Sequence, residues 1–273
     1  MNRPRDEKEF NFTRQHFDKL RQLANNYSGI TVTDEKFEMY YSRLTRRLRK
    51  HNLTDFGAYV ALVEQDAIEF KEFINCITTN VTSFNREQHH FEYLQKVLET
   101  WPKKEINIWS AGCSSGEEPY SIIINSFPIC DRRGIKINIT ATDLDTDVLE
   151  KGAKGVYPVR SVEIYDMKIK RQFFQKGTGS NTELCRVKQP FRQMIDFQQL
   201  NLMHNWKLNQ KYDVIFCRNV LIYFDNPKKT RLARMYWEHL QDDGILFLGH
   251  SETLHKISED FDSVGKTIYR KRG

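Results

Sequence analysis

Two adjacent carboxylates, Glu117 and Glu118, are the residues whose type and position most directly suggest chemistry. They follow a loop of small residues that runs from Gly112 to Gly116, and Pro119 then opens a helix, because proline suits the first helical turn. The loop has neither the glycine spacing of a dinucleotide fold nor the lysine of a phosphate-binding loop. The two acids repel a phosphate and favour a ligand that presents a cation, such as the amino group of S-adenosylmethionine. The alternative interpretation is a tight turn with solvated acids.

A further acid stands at the end of a neighbouring strand. Residues 106–109 alternate as a strand before the loop, and residues 136–143 form a second candidate strand that ends on Asp143, 26 residues beyond the first acid of the loop. In nucleotide-type folds an acid at this place accepts hydrogen bonds from ribose hydroxyls. The alternative role is the cap of a helix at 146–153, but Asp145 can supply that cap alone. Strand, loop and helix in this order predict a nucleotide-type pocket in an α/β fold.

The rest of this half continues the sheet, with candidate strands at residues 195–202, 212–220, 245–248 and 264–270. The run at 212–220 is apolar through most of its length and ends in polar groups, so its end should lie over the same pocket. Residues 173–181 and 184–187 break the alternation of strands and helices and predict a small antiparallel insertion around a glycine-rich turn. Inserted hairpins often serve as docking edges for peptides.

The first 79 residues are predicted to be helical throughout, with Thr33 as the cap of a helix from Asp34 to about His51. Between Lys36 and His51 six Lys or Arg residues stand against one acid, in a protein whose net charge is +6. This concentration predicts docking to an acidic partner, and the alternative is a solvated helix face. Nucleic acid is a weaker candidate, because the basic stripe lacks interleaved aromatic residues. The candidate docking residues are Arg43, Arg46, Arg47, Arg49 and Lys50.

Composition narrows the class of protein. The 273 residues allow one large domain or two ordinary ones, and no apolar run approaches the ~20 residues of a membrane span. The start of the chain lacks the apolar region of a secretory signal. Five cysteines without a Cys-x-x-Cys pair predict reduced thiols in a cytosolic protein. No metal site is predicted, since the adjacent His89 and His90 point about 100° apart on a helix.

Taken in order, several stretches resemble the chemotaxis receptor methyltransferases of the CheR family, S-adenosylmethionine-dependent protein-glutamate O-methyltransferases. The resemblance covers nearly the full chain, and its specificity lies in the joint order and spacing of the stretches. They are the basic helix at 41–49, Thr78-Thr79-Asn80-Val81-Thr82-Ser83-Phe84-Asn85-Arg86-Glu87, Gly116-Glu117-Glu118-Pro119-Tyr120-Ser121, Ala141-Thr142-Asp143-Leu144-Asp145, Phe216-Cys217-Arg218-Asn219-Val220-Leu221-Ile222-Tyr223-Phe224 and Gly249-His250-Ser251-Glu252.

The resemblance implies an α/β fold with a class I (Rossmann-like) methyltransferase sheet and a small antiparallel β insertion, preceded by an all-α N-terminal domain. We expect the helical domain and linker at 1–92, the S-adenosylmethionine-binding domain at 93–273 and the insertion at about 168–198. In this family Glu117 would hold the methionyl ammonium group and Asp143 the ribose, while Glu118 would be a structural or solvated neighbour. The full set of implied cofactor-binding residues is Asn80, Thr82, Arg86, Glu117, Asp143, Asn201, Leu202, Asn219 and Val220.

The resemblance also implies the partners. The basic helix would face the acidic cytoplasmic methylation helices of methyl-accepting chemotaxis receptors. The insertion with Gly177 and Gly179 resembles the subdomain that, in some members, grips a receptor's C-terminal peptide. We expect a cytoplasmic monomer that is recruited to membrane-bound receptors, without membrane insertion or nucleic acid.

The family reaction fits the residues present. A glutamate side chain has an unperturbed pKa of ~4.3 and is already ionised at neutral pH, so it can attack a sulfonium methyl group without a general base. No dedicated catalytic residue is therefore predicted, and Arg86, Tyr223 and Tyr236 are candidates for orienting the acceptor. Two alternatives stay open: the same fold with a nucleic-acid or small-molecule acceptor, and a non-catalytic adaptor that binds receptors.

Overall fold

The structure is a computed structural model that describes residues 8–208 and 210–272. It divides into two compact units, Met1–Thr79 and Asn80–Gly273. The division falls between Thr79 and Asn80, whereas we expected it after residue 92. The reason is that the segment after Thr79 packs into the second unit, where Phe84 is buried against Tyr157, with their ring centroids 4.9 Å apart.

The first unit is helical, as predicted. Its helices are α1 Arg14–Ser28, α2 Phe37–Lys50, α3 Phe56–Gln65 and α4 Ala67–Ile77. Their apolar faces meet in an aromatic core that includes Phe17, Tyr40 and Phe73, all fully buried. The prediction of a helix capped by Thr33 was wrong in detail, because residues 34–36 form a separate 3₁₀ turn and the Thr33 side chain makes no capping bond.

The second unit alternates strands and helices. Its strands are β1 Glu105–Ala111, β2 Lys136–Asp143, β3 Val156–Pro158, β4 Phe174–Lys176, β5 Leu184–Val187, β6 Ile195–Gln199, β7 Tyr212–Cys217, β8 Leu240–Leu248, β9 Phe261–Gly265 and β10 Ile268–Lys271. Its helices are α5 His89–Glu99, α6 Glu117–Arg133, α7 Thr146–Lys154, α8 Met167–Phe173, α9 Gln189–Arg192 and α10 Asn226–His239. In the described part of the chain, no helix combines the length and apolar character that crossing a membrane requires.

Seven strands form one sheet in the order β6-β2-β1-β7-β8-β10-β9. The five strands from β6 to β8 run parallel, and β10 is antiparallel to both β8 and β9. The chain builds outward from β1 in one direction through β2 and in the other through β7. In such doubly wound sheets ligands bind where the order reverses, outside the carboxyl ends of the central strands. The predicted Rossmann-like sheet is confirmed, and its order places a crevice at the ends of β1 and β7.

The antiparallel insertion is a three-stranded sheet in the order β3-β5-β4. The predicted hairpin is confirmed as β4 and β5, but β3 lies outside the expected range of 168–198. Three residues ending in proline carry too little periodicity to be recognised as a strand. For a similar reason the single strand expected at 264–270 is the β9–β10 hairpin, which turns at Lys266 and Thr267. The turn expected at 242–244 is an irregularity within β8.

Candidate functional site

The loop between β1 and α6 is shaped by two glycines with left-handed backbones, Gly112 at φ 86° and Gly116 at φ 94°. A Cβ atom on Gly112 would lie 2.5 Å from Val220 Cγ2, and one on Gly116 would lie 2.8 Å from Tyr157 Oη. Both positions therefore need glycine for conformation and for space. Gly112 also donates its N–H to the carbonyl of Thr142 over 2.8 Å, which ties the loop to β2.

Glu117 begins α6 beside this loop. Its carboxylate accepts a hydrogen bond of 2.7 Å from Ser115 Oγ. Burial raises the pKa of Glu117, and the Ser115 bond only partly opposes this effect. Within the described residues no cation pairs with it at ion-pair distance. A half-buried carboxylate without a cation is an electrostatic match for a positively charged ligand group.

Glu118 is held differently, although it is the next residue. Ser110 Oγ donates a 2.6 Å hydrogen bond to it, and Arg218 Nε lies 3.5 Å away. Burial raises the pKa of Glu118, and the positive charge of Arg218 opposes the increase. Glu118 therefore joins the end of β1 to the end of β7, the structural role that the sequence suggested for it.

Asp143 ends β2 next to the glycine loop. It accepts N–H bonds from Ser114 at 2.8 Å and from Asp145 at 3.0 Å. Burial raises the pKa of Asp143 to about 6, against the lowering effect of these two bonds. Asp145 caps α7 as predicted, accepting from the N–H groups of Asp147 and Val148. Capping of α7 therefore leaves Asp143 available to a ligand.

The segment from Asn80 to Arg86 is fastened to the same crevice. Ser114 Oγ donates to the Asn80 carbonyl over 2.9 Å, and the Asn80 side chain donates to Asp145 over 2.6 Å. At the other end Arg218 donates to the carbonyl of Arg86. Thr82 lies in the chain between these two fastened ends, and its contact with a ligand stays a prediction.

The remaining predicted cofactor residues follow the carboxyl ends of β6 and β7. The N–H of Leu200 donates to the Asp143 carbonyl over 2.9 Å, which brings the following Asn201 and Leu202 alongside β2. After β7, Asn219 has a left-handed backbone with φ 59°, and Val220 packs against Gly112. These predicted residues therefore follow the carboxyl ends of parallel strands in the same sheet, and their role in binding a cofactor stays a prediction.

Sequence reasoning missed a buried ionic cluster beneath this crevice. Only 2% of the Arg218 side chain is exposed, and its Nε lies 3.5 Å from both Glu87 and Glu118. Burial and the charge of Arg218 lower the pKa of His90 to about 3, so this histidine is neutral and packed. His250 donates its N–H to Glu87 over 3.1 Å. The sequence signal that could have revealed this cluster is Arg218, a charged residue directly after the apolar run of β7.

Tyr236 does not orient an acceptor, contrary to prediction. It is fully buried, and its hydroxyl donates to Cys217 Sγ over 3.0 Å. Its ring lies 5.5 Å from that of Trp109 and 5.1 Å from that of Trp206, which makes it part of the core. Tyr223 is half-buried in a 3₁₀ turn, Leu221–Tyr223, and remains a candidate.

The predicted docking residues of α2 divide into two groups. Arg46, Arg49 and Lys50 are exposed, with Arg49 in an ion pair with Glu9. Arg47 was wrongly predicted to be a docking residue, because its side chain is 10% exposed and bonds to Glu69 and Glu72.

Arg43 is half-buried and donates to the carbonyl oxygens of Cys76 and Thr78, at 3.0 and 2.5 Å.

In the small sheet, Gly177 and Gly179 shape the β4–β5 turn: Gly177 donates its N–H to the carbonyl of Leu184 over 2.8 Å, and Gly179 has φ 59°. Neither glycine is thereby shown to bind a peptide, so that role stays a prediction.

Comparison with known proteins gives the same family along most of the chain. The family model described as CheR methyltransferase, SAM binding domain, matches residues 80–270, and that described as CheR methyltransferase, all-alpha domain, matches residues 15–78. Chemotaxis protein methyltransferase 2 of Pseudomonas aeruginosa is 39% identical over 264 residues, which is 96% of this chain and 94% of the relative. The chemotaxis protein methyltransferase of Klebsiella aerogenes is 41% identical, covering 93% and 88% of the two chains. That of Escherichia coli K12 is 39% identical, covering 93% and 90%.

Proposed function

Because the chain belongs to the CheR methyltransferase family, we propose that it methylates glutamate side chains of methyl-accepting chemotaxis receptors. Its second unit is a SAM-binding domain of class I methyltransferase fold, so S-adenosylmethionine is the methyl donor. The observation that carries the choice of acceptor is the similarity to chemotaxis protein methyltransferases over more than nine-tenths of this chain. The products of the proposed reaction are a glutamate methyl ester and S-adenosylhomocysteine.

The charged residues of the crevice complement the charges of this methyl donor. S-adenosylmethionine carries an electrophilic methyl group on a positively charged sulfonium, together with an ammonium group and a ribose. Glu117 and Asp143 offer two carboxylates whose pKa values are raised by burial. We infer that Glu117 holds the ammonium group and that Asp143 accepts hydrogen bonds from the ribose, with the other seven predicted residues completing the pocket. The bound ammonium group would offset the unfavourable burial of the Glu117 carboxylate, and hydroxyl donors would stabilise the Asp143 carboxylate.

The work left to the protein is positioning. An acceptor glutamate is ionised at neutral pH, so its oxygen needs no general base. The chain must hold this carboxylate in line with the methyl group and exclude water, while nearby positive charge offsets the desolvation of the acceptor. Arg86, fastened through its carbonyl to Arg218, is the candidate for that charge, and the Tyr223 hydroxyl is a candidate for orienting the acceptor.

Receptor docking is a separate part of the proposal. The exposed cations Arg46, Arg49 and Lys50 present positive charge to acidic methylation helices. The β4–β5 turn, with Gly177 and Gly179, would bind a C-terminal receptor peptide. We propose that the protein acts as a cytoplasmic monomer recruited to membrane-bound receptors.

The proposed acceptor predicts base-labile labelling of receptors. Incubation with methyl-labelled S-adenosylmethionine and receptor-containing membranes should label receptor protein, and mild alkali should release the label because carboxyl methyl esters hydrolyse readily. Receptors whose acceptor glutamates are changed to alanine serve as the control and should stay unlabelled. Alkali-stable label, or label in nucleic acid, would show a different acceptor. Receptor binding without any methyl transfer would favour the adaptor.

Cofactor affinity should fall in mild acid. If the carboxylate form of Asp143 binds the ribose, its pKa of about 6 means that the binding form is lost as pH falls through 6. The Kd for S-adenosylmethionine should then be about tenfold higher at pH 5 than at pH 7, because a carboxyl group with a pKa of about 6 is ~90% ionised at pH 7 and only ~10% ionised at pH 5. Protonation of Glu117 acts in the same direction. Calorimetry across this range tests the expectation, with Asp143→Asn as a weaker-binding control that should show a shallower dependence. A flat wild-type profile contradicts it.

A further inference from the structure

Glu252 is a buried carboxylate that main-chain groups hold in place. Its residue is 5% exposed. One oxygen, Oε2, accepts the N–H of Asn219 at 2.8 Å and that of Gly249 at 2.6 Å, and Oε1 accepts the N–H of Ile222 at 3.2 Å. No cation of the described residues lies at ion-pair distance from it. Hydrogen bonds to an ionised acceptor are roughly twice as strong as neutral ones, so this carboxylate is a firm anchor for three N–H groups.

These bonds join the turns that follow two neighbouring strands. Asn219 and Ile222 follow β7, and Gly249 follows β8. The two turns approach so closely that a Cβ atom on Gly249 would lie 2.4 Å from Asn219 Nδ2. Asn219 also has a left-handed backbone, a conformation that asparagine adopts more readily than other non-glycine residues. Glu252 accepts the N–H of Asn219 and is one of the contacts that hold it in this conformation.

The turn held in this way carries residues assigned to the reaction. Asn219 and Val220 are predicted cofactor residues, and Val220 packs on Gly112 of the loop after β1. Tyr223, the candidate for orienting the acceptor, ends the 3₁₀ turn that begins at Leu221. Displacement of this turn would therefore reach both the cofactor pocket and the acceptor.

We propose that Glu252 is a positioning residue for methyl transfer, fixing residues 219–223 in the conformation that binds the cofactor and presents Tyr223 to the acceptor. The part of this inference that concerns the acceptor rests on the proposed function. The part that concerns the cofactor rests only on the binding of S-adenosylmethionine. Glu252 contacts neither reactant and acts through the main chain. A displacement of about 1 Å in positioning groups can lower a rate about a hundredfold, so loss of this anchor should be visible in kinetics.

The test compares Glu252→Gln with Asp213→Asn. The glutamine has the same size but only one oxygen, so its N–H₂ group must face at least one of the N–H groups that now donate to the carboxylate. Asp213 is a matched control: it is also buried, and it lies near the start of β7, at the opposite end of that strand from the turn that Glu252 holds. It accepts from Asn107 N–H at 2.9 Å and from Lys103 Nζ at 2.6 Å. Both variants should have a lower Tm. At a temperature where circular dichroism shows both folded, only Glu252→Gln should raise the cofactor Kd about tenfold and lower kcat by ten- to a hundredfold.

A folded Glu252→Gln protein with wild-type Kd and kcat overturns the proposal and leaves Glu252 a purely structural group. If Glu252→Gln does not fold, Glu252→Asp replaces it, since this variant keeps the charge but is one methylene shorter. It should raise the cofactor Kd about threefold, and an unchanged Kd and kcat would again overturn the proposal. Failure of the proposed function has a different signature: wild-type protein that binds S-adenosylmethionine but esterifies no receptor glutamate. In that case the Kd comparison still decides the role of Glu252.

Discussion

Replacing Glu117 by glutamine is expected to weaken S-adenosylmethionine binding at least tenfold while changing the free energy of unfolding by no more than about 1 kcal/mol. Burial raises the pKa of Glu117, so the folded state favours its neutral form. The stability that accompanies a raised pKa is present in acid and is lost as pH rises through the folded pKa, so at pH 7 a neutral amide carries no disadvantage. The amide oxygen can still accept from Ser115 Oγ. The variant loses only the attraction of the negative charge for a cationic ligand and for the positive end of the helix dipole.

The neighbouring change Glu118→Gln is the matched control. It removes the same charge one residue away, but here the charge faces buried Arg218 at 3.5 Å. Glu118→Gln should therefore destabilise the protein by about 1–3 kcal/mol, because a buried cation loses part of its compensation. Calorimetry with S-adenosylmethionine and urea unfolding of both variants measure the two effects. Equal losses of affinity in the two variants, or a large loss of stability in Glu117→Gln alone, would contradict the division of roles.

The central sheet, and the positions of Glu117 and Asp143 at its edge, could be predicted from the sequence for a physical reason. The strands β1, β2 and β7 are apolar runs bounded by turn residues, and parallel strands bring their carboxyl ends to one edge. An acid placed directly after such a run, as Asp143 is, must therefore lie near the groups that follow the neighbouring strands. Glu117 follows from the same rule, since it begins the helix after β1.

Contacts between distant segments could not be read in this way. Arg218 meets Glu87 from 131 residues away along the chain, and Glu252 reaches back 33 residues to the N–H of Asn219. Neither pairing leaves a periodic signal in the sequence, because only the assembled sheet brings these segments together. Tyr236 was wrongly assigned for a related reason: whether a tyrosine hydroxyl on a helix meets solvent or, as here, Cys217 depends on the sheet that the helix covers.

In the basic helix α2, likewise, the sequence did not show which of the cations are buried. The burial of Arg47 leads to a second prediction with a large effect on stability. Replacing Arg47 by alanine is expected to destabilise the first unit by about 3–5 kcal/mol, because it leaves buried Glu69 without its main cation. Glu69 is 2% exposed in its side chain and also accepts from Tyr59 Oη over 2.9 Å. Its pKa is shifted upward by burial but lowered on balance by the bonds from Arg47, Tyr59 and His51, so at neutral pH it stays charged and needs that partner.

Arg46→Glu is the counterpart, one residue away on the exposed face of the same helix. It should leave unfolding and cofactor Kd unchanged but lower kcat/KM for receptors about tenfold or more, since a reversed charge repels an acidic surface. Urea unfolding of the two variants, together with methylation assays at several receptor concentrations, separates the roles. The effect of Arg46→Glu should shrink as salt is raised, because exposed charges are screened. An Arg47→Ala protein as stable as the wild type would refute the structural role of Arg47. Full receptor methylation by Arg46→Glu would mean that this face of α2 does not meet the receptor.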